Sequence, residues 1–459
     1  MVKFIKSGLP YFRRMLTVAV PIMIQSGVTN FVSMLDNIMV GQVGTLQMSG
    51  VSIVNQLMVV FNLCIFGAMS GAGIFTAQFY GKKDRAGVKN TMQYKLLFAF
   101  LLTAVGIAAF VTMGDSLIGA YLQGEAGAGE REKVASYAAE YLEIMLIGLL
   151  PFALSQAYAG TLRETSDRVI PMISTVAAVL INFVLNYILI FGHFGAPELG
   201  INGAAIATVI SRFAELGILV FWAHTHKKKY PFIKGLFSSS TITRELLKKI
   251  TVVSLPLLIN EALWSAGMAM LNQCYSVRGL DVVAAINIVS TISNVFNVAF
   301  VSFGSAIGII LSQMLGAGEK EEAKKASTRL LFFAVFTVVF IAMAMMIFAP
   351  LFPRIYKTSD EIRNLASAVI IVVALFMPVQ SFTNACYFTL RSGGKTVITF
   401  LFDSGFVWTV SVPLAFILSR YTAVPIVPLY AAVLSADIIK CILGYTFMKK
   451  GVWLNTVVE

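Results

Sequence analysis

One carboxylate lies inside the first long apolar stretch of the sequence. Asp36 falls near the far end of the apolar run 16–44. A helix rises about 1.5 Å per residue, so that about 20 residues cross the hydrocarbon core of a bilayer. A charge at that depth costs about 2.5–3.5 kcal/mol and is usually placed where a cavity, an ion or a proton compensates it. This position favours a cation-coupling carboxylate, and the alternative is an acid at headgroup level that ends the helix.

Polar side chains that could complete a cation site lie in two later apolar segments. Asn182 and Asn186 are four residues apart, which puts both amides on one face of a helix, and Thr208 adds a hydroxyl in the next segment. With Asp36 they offer one carboxylate and several neutral oxygens. This set suits a monovalent cation such as Na+, because a divalent ion is usually held by more carboxylates. Asp36 could instead carry a proton, and each neutral side chain could simply join two helices by a hydrogen bond.

A second group of polar side chains forms helical stripes in the second half of the chain. Its members recur at steps of three or four residues, as expected for helix faces that line a wet interior. We predict that a substrate cavity includes Glu261, Asn287, Asn294, Gln380 and Asn384. Glu261 is the best second carboxylate. The weaker candidates, near span ends or beside candidate partners, are Glu143, Glu215, Asp403 and Asp437. Arg212 is interpreted as a structural residue that pairs with Glu215 or reaches the membrane interface.

The composition predicts the elements that must hold these residues. The chain has 459 residues, of which 58% are hydrophobic and only 13% are charged. A soluble domain would need far more charge on its surface. Apolar runs of about 20 residues recur from end to end, which predicts an all-α integral membrane protein with about twelve spans. The predicted spans are 15–40, 51–79, 94–117, 136–160, 169–191, 202–223, 251–274, 286–311, 329–350, 363–389, 398–418 and 428–448.

The net charge of +12 is a signal of topology. Lysine and arginine are concentrated in alternate loops, as in Lys227, Lys228 and Lys229, and they are sparse in the loops between. The positive-inside rule therefore predicts that both termini are cytoplasmic in a multi-pass protein of the cell membrane. The basic loops could contact anionic membrane lipid. We do not expect nucleic-acid binding, because that needs one contiguous basic face.

The two halves of the chain repeat. Pro21 and Pro256 are 235 residues apart (256 minus 21), and Arg163 and Arg391 in the motif Thr-Leu-Arg are 228 apart (391 minus 163). Each half holds six predicted spans, so that equivalent helices cross the membrane in the same direction. We therefore predict two six-helix lobes related by a parallel pseudo-twofold repeat, an arrangement that transporters often use to rock around a central site.

The longest hydrophilic segment divides the two halves. We predict an N-terminal lobe at 1–223, a cytoplasmic linker at 224–250 and a C-terminal lobe at 251–459. A solvated linker without a further role is the favoured interpretation of the middle segment.

The sequence contains no recognisable enzyme signature. It has no Gly-Lys-Ser/Thr phosphate-binding loop, and its three histidines lack the spacing of zinc ligands. The four cysteines fall in or beside apolar runs and are interpreted as packing residues. We expect no catalytic activity and no cofactor, with Na+ or H+ as a coupling ion only.

Four segments resemble motifs of the MATE (multidrug and toxic compound extrusion) transporters. The run 36–44, DNIMVGQVG, resembles the first-helix signature of that family. The runs 182–192, NFVLNYILIFG, and 200–208, GINGAAIAT, resemble its motif in the fifth and sixth helices. The run 162–167, LRETSD, resembles its loop after the fourth helix. The match in order and spacing covers nearly the whole chain.

The resemblance implies a function and a site. It implies two lobes around a cavity, and export of small lipophilic organic cations in exchange for Na+ or H+. The family's cation site falls on Asp36, Asn182, Asn186 and Thr208. Many members have Asp where this chain has Asn186, so one carboxylate is missing here, which should weaken cation binding or favour protons. Some members also use an acid in the seventh helix, for which Glu261 is a candidate counterpart.

Three hypotheses follow for the activity. The first is a monomeric MATE-like exporter that is coupled through Asp36. The second is a related flippase for lipid-linked oligosaccharides, which would favour several basic residues in the cavity, whereas the spans hold few, chiefly Arg212 and Lys440. The third is a receptor or scaffold without transport, against which the repeat and the intramembrane acid argue. The sequence does not decide between Na+ and H+.

Overall fold

The computed structural model describes residues 2–122, 128–238, 242–356 and 358–458. Within these ranges the regular structure is helical and contains no β-strand. The first half is built from α1 (Val2–Val43), α2 (Thr45–Gly81), α3 (Arg85–Tyr121), α4 (Ala128–Ile147), α5 (Leu149–Glu164), α6 (Val169–Phe191) and α7 (Gly200–Thr225). The axes of α4 and α5 are bent by 45°, and the two helices together are apolar enough to form one span.

The second half is helical too, in a more broken form. It contains α8 (Arg244–Ser276), α9 (Leu280–Gly316), α10 (Lys320–Phe348), α11 (Asp360–Ser392), α12 (Thr396–Phe400), α13 (Val412–Tyr421), α14 (Ile426–Ser435) and α15 (Asp437–Lys450). Two π-helical segments, Leu401–Gly405 and Val407–Ser411, connect α12 to α13. The span Thr396–Tyr421 is therefore continuous, and so is Ile426–Lys450.

The number of spans agrees with the prediction. Among the described residues, ten helical stretches are long and apolar enough to cross a bilayer, and the bent pair α4–α5 adds an eleventh. α8 corresponds to the predicted seventh span and has 33 residues. Polar residues such as Asn260 and Glu261 lie inside it. The prediction of an all-α membrane protein with about twelve spans is confirmed.

The chain forms two compact units. The first-half unit contains residues 24–76 and 85–251, and the second-half unit contains residues 1–23, 77–84 and 252–459. Residues 77–84 belong to the second-half unit because the buried side chain of Gln78 is anchored there. Its amide donates to the carbonyl of Ser392 at 3.0 Å and accepts from the backbone of Val457 at 2.8 Å. The sequence-based lobe boundaries at 223 and 251 stay a prediction.

The segment that follows α7 packs within the first-half unit. Tyr230, Phe232 and Leu236 are buried. Tyr230 donates to the Asp167 carboxylate in the turn between α5 and α6, and the ammonium of Lys229 lies 2.5 Å from the same group. The favoured interpretation of a freely solvated linker is therefore wrong for this stretch, because its aromatic side chains pack and its polar groups close on Asp167.

Candidate cation site

Asp36 lies in α1, about two turns before that helix ends, and its side chain is half-buried. The amide nitrogen of Asn186 donates to its Oδ1 at 2.7 Å. We assign the Asn182 amide so that its nitrogen also faces the carboxylate, since this orientation satisfies both ends of the amide. In it the Asn182 nitrogen lies 2.9 Å from Oδ2 of Asp36, and the oxygen lies 3.2 Å from the Thr208 hydroxyl. Both carboxylate oxygens therefore have a neutral donor.

Two helices bring the other three side chains to Asp36. Asn182 and Asn186 share one buried face of α6, and Thr208 lies on the neighbouring helix α7. The two helices approach closely because Gly203 has no side chain. A Cβ atom there would lie 2.5 Å from the backbone oxygen of Leu189. The small-residue motif in α7 therefore fixes the distance between the amides and the hydroxyl.

The group still has oxygen atoms available for a cation. Oδ1 of Asn186 is buried and accepts no hydrogen bond. The hydroxyl of Thr208 lies 2.9 Å from the carbonyl of Ala204 and 3.2 Å from the Asn182 oxygen, and its one hydrogen serves one of them at a time, which leaves lone pairs on the hydroxyl oxygen. A buried amide oxygen without a donor is costly unless something positive meets it. One carboxylate with amide and hydroxyl oxygens therefore fits a hard monovalent cation, as its donor set has no soft ligand.

Asp36 lacks a positively charged partner among the residues that the structure describes. The lysines and arginines that form ion pairs there contact other acids. The same part of the chain contains no cluster of three or more His, Cys, Asp or Glu side chains that could hold a metal ion. A site with one acid and neutral oxygen donors is compatible with Na+ or H+.

Tyr141 is a neighbour of the site that the sequence did not suggest. It is buried in α4 near Thr208, and it lies within electrostatic range of Asp36 and Arg212. Its contact depends on how α4 packs against α7. A tyrosine in an apolar helix gives no sequence signal that distinguishes it from a packing residue.

A second buried acid has a different environment. Asp403 lies in the π-helical segment Leu401–Gly405 of the second-half unit. The ammonium of Lys440 donates to its Oδ1 at 2.7 Å, and the amide of Asn260 donates to its Oδ2 at 3.1 Å. The backbone nitrogen and hydroxyl of Ser404 in turn donate to the Asn260 side-chain oxygen, at 3.2 and 2.8 Å. This cluster joins α8, the π-helical segment and α15.

The predicted cavity residues lie on three helices of the second-half unit. Glu261 accepts from the Tyr387 hydroxyl at 3.4 Å, beside the Asp403 cluster. Asn287 and Asn294 are exposed on α9, while Gln380 and Asn384 are partly buried on α11. Exposed amides at bilayer depth favour a water-filled space over lipid. A substrate cavity that these five residues share stays a prediction.

The weaker acids also have defined positions. Buried Glu215 accepts from the Thr175 hydroxyl and lies within electrostatic range of Arg163 and Arg212. Arg212 donates to the carbonyl of Gly148 at 3.3 Å. Its interpretation as a structural residue fits these contacts. The other acids are partly buried Asp437 and exposed Glu143.

The fold and the site together define the class of a polytopic helical membrane transporter with an internal repeat. The MatE family model matches this chain twice, over residues 21–188 and 256–417. The chain belongs to the MatE family. The two matches begin 235 residues apart, the offset that the repeated prolines predict, and the predicted membership is confirmed.

Curated relatives and solved structures agree with this assignment. The chain is 25% identical over 451 residues to the "Probable multidrug resistance protein NorM" of Thermotoga maritima, covering 98% of this chain and 94% of that protein. It is 26% identical over 383 residues to the "Probable multidrug resistance protein YoeA" of Bacillus subtilis, covering 83% and 81%.

Two solved structures show the same fold. An outward-facing multidrug resistance MATE family transporter of the MOP superfamily has a TM-score of 0.87, 20% identity and 96% coverage of both chains. A MOP superfamily transporter from Pyrococcus furiosus, whose binding pocket of reverse polarity is described as suggesting a different function, has a TM-score of 0.86 with 20% identity and the same coverage. At this level of identity the two likenesses establish the fold alone.

Proposed function

We propose that this chain is a multidrug efflux antiporter that exports lipophilic organic cations across the cell membrane in exchange for Na+ or H+. The observation that supports this most is the environment of Asp36. A half-buried acid has two amide donors, no cationic partner among the described residues and an unpaired amide oxygen beside it. The names of the NorM and YoeA relatives support organic drugs as the exported class.

The proposed cycle follows from the charge at Asp36. Without an ion, the carboxylate keeps a negative charge in a poorly polar environment, a state that water from a cavity must stabilise. A bound Na+ or proton neutralises it and permits the site to close. The coupling ion and the drug must favour different conformations of the two lobes, because a ligand shifts an equilibrium only through its differential affinity. Alternating access of the lobes would then exchange one for the other.

The flippase alternative has less support. It needs basic side chains that are available to a lipid phosphate. Lys440 is engaged with Asp403, and Arg212 is engaged with the carbonyl of Gly148. Both contacts are within their own compact units.

The proposal is tested by ethidium efflux from proteoliposomes that contain the purified protein. The four conditions are an inward Na+ gradient alone, an inward proton gradient alone, both gradients and neither. Ethidium export that is driven by at least one gradient and absent without any supports the antiporter, and the single gradient that suffices identifies the ion. Equal ethidium movement in all four conditions would contradict coupling, and transport of a labelled lipid-linked sugar instead would favour the flippase.

A further inference from the structure

The ion pair in the second-half unit is largely enclosed by the protein. The side chain of Lys440 is 9% exposed and that of Asp403 is 17% exposed. Each carboxylate oxygen has its own donor, the Lys440 ammonium on one and the Asn260 amide on the other. The ammonium also lies 5.2 Å from the centre of the Phe402 ring, within the range of a cation–π contact. The acid is therefore neutralised in place by a side chain.

The internal repeat shows that this cluster occupies an equivalent place in both halves. Asn260 corresponds to Gln25 at an offset of 235 (260 minus 25), and Asp403 and Lys440 correspond to Thr175 and Arg212 at an offset of 228 (403 minus 175 and 440 minus 212). In the first-half unit, Gln25 donates to Thr175 at 2.8 Å, and Thr175 donates to Glu215. Both halves therefore build a polar cluster from their first, fifth and sixth predicted spans. In both halves the sixth span contributes a basic residue.

The candidate cation site has no such equivalent. The residue at an offset of 235 from Asp36 is Leu271, which is buried in an apolar cluster. The second half therefore lacks an acid at the position that corresponds to Asp36. The intramembrane acid in the fifth predicted span of the second half is Asp403. This acid is already paired with the ammonium of Lys440.

We propose that Lys440 is a built-in cation that occupies the cation position at Asp403, so that this acid binds no exchangeable ion, whereas ion coupling runs through Asp36. Breaking a buried ion pair by removal of one partner leaves an uncompensated charge. Without Lys440, the freed Oδ1 of the carboxylate and the face of the Phe402 ring would line a space for a small cation. The assignment of ion coupling to Asp36 rests on the proposed function, whereas the role of Lys440 at Asp403 does not.

The test uses the purified full-length protein in detergent and measures its Tm. In Lys440→Ala the missing atoms correspond to n-propylammonium. We expect a Tm several degrees below that of the wild type, and recovery of about half or more of that loss with n-propylammonium or Na+ as these ligands bind the folded state. Choline at matched ionic strength is too large and should not restore it. The double variant Asp403→Asn/Lys440→Met has neither charge at this place and should respond to n-propylammonium no more than to choline, while it keeps the Na+ response that the wild type has through Asp36.

Two results would overturn the proposal. In one, n-propylammonium and Na+ raise the Tm of Lys440→Ala no more than choline does. In the other, the double variant responds to n-propylammonium as strongly as Lys440→Ala. Recovery that persists in Asp36→Asn/Lys440→Ala would show that the rescuing cation binds at Asp403, whatever the fate of the antiporter proposal.

A second measurement applies if Lys440→Ala does not yield folded protein. Here Na+ and pH titrations of the Tm are compared in the wild type, Lys440→Arg and Asp36→Asn. We expect Lys440→Arg to keep the wild-type response, because the charge stays, and Asp36→Asn to lose it. An ion response of the wild type that survives in Asp36→Asn and disappears in Asp403→Asn would contradict the assignment of Lys440.

Discussion

Asp36 and Asp403 are both acids inside apolar helices, and the protein compensates them in opposite ways. Asp36 receives two neutral amides and is half-buried. Asp403 receives a lysine ammonium at 2.7 Å and one amide. A carboxylate that is paired with a side-chain cation has its charge balanced in every state of the cycle. A carboxylate with neutral donors needs a visiting ion, so the same residue type is structural in one unit and a candidate coupling group in the other.

The difference between the two acids should disappear when Asp36 also receives a side-chain cation. Asn186 is buried and its amide touches Asp36, so that Asn186→Lys places an ammonium beside this acid. We expect loss of ion-driven ethidium efflux and a Tm that no longer depends on Na+ or pH in the range where the wild type responds. The measurement is efflux from proteoliposomes together with thermal unfolding.

Asn186→Leu is the matched control, because it removes the same amide without adding charge. It should weaken the ion dependence and keep part of the efflux. Full ion-driven efflux in Asn186→Lys would contradict the difference drawn between the two acids.

The second prediction concerns the stability of the paired acid. Asp403→Asn leaves the buried Lys440 ammonium without its counter-charge, and we expect the free energy of unfolding to fall by about 3–5 kcal/mol. Removal of both charges in Asp403→Asn/Lys440→Met should recover most of that loss. The measurement is thermal or denaturant unfolding in detergent, and equal stability of the single variant and the wild type would show that the pair is not structural.

The third prediction sharpens the composition of the cation site. Thr208→Ala removes one candidate oxygen ligand. It should weaken the affinity for the coupling ion roughly fivefold, which corresponds to about 1 kcal/mol. Thr208→Ser keeps the hydroxyl and serves as the control. Titration of the Tm with Na+, or with protons if these are the coupling ion, gives the affinities. An identical response of the alanine variant and the wild type would exclude Thr208 from the site.

The smallest effect is expected at an acid outside the membrane spans. Burial raises the pKa of Asp167, but hydrogen bonds from Lys229 and Tyr230 outweigh it and hold the pKa below its ordinary value. Because the folded pKa is the lower one, this acid stabilises the fold above the unfolded pKa of about 4, and the contribution is lost as pH falls through the folded pKa. Asp167→Asn should therefore lower the Tm slightly at neutral pH and flatten its decline in acid.

The control for that measurement is Asp115→Asn, a change of an exposed acid. Its Tm should follow the wild-type pH profile. A profile of Asp167→Asn that also follows the wild type would remove the link between the segment after α7 and the turn at Asp167.

Much of the fold could be predicted because apolar length is a local property. The predicted span 169–191 has the bounds of α6, since that helix ends at Gly192, a residue in the left-handed conformation with φ 70°. Helices such as α2 and α9 extend beyond their predicted spans, because helical structure continues past the apolar core. The π-helical segments around Asp403 were not predicted, because an apolar pattern does not distinguish a wider helical turn from a regular one.

The residues of the candidate site could also be predicted only in part. Spacing placed Asn182 and Asn186 on one face, and the structure brings both to Asp36 beside Thr208. Their role in ion binding stays a prediction. Tyr141 was missed because its contact arises from the packing of distant helices. The pairing of Asp403 with Lys440 was missed too, although the 228-residue offset could have indicated it by aligning Lys440 with Arg212.

Ion-driven efflux by Asp36→Asn tests the central claim most directly. The variant keeps the size of the side chain and removes only its charge, and Glu143→Gln is the control because it makes the same change at an exposed acid of the first-half unit. With both proteins reconstituted at equal density, we predict that Asp36→Asn shows no ethidium export under Na+ or proton gradients, while Glu143→Gln exports like the wild type. Gradient-driven export by Asp36→Asn at the wild-type rate would contradict the account.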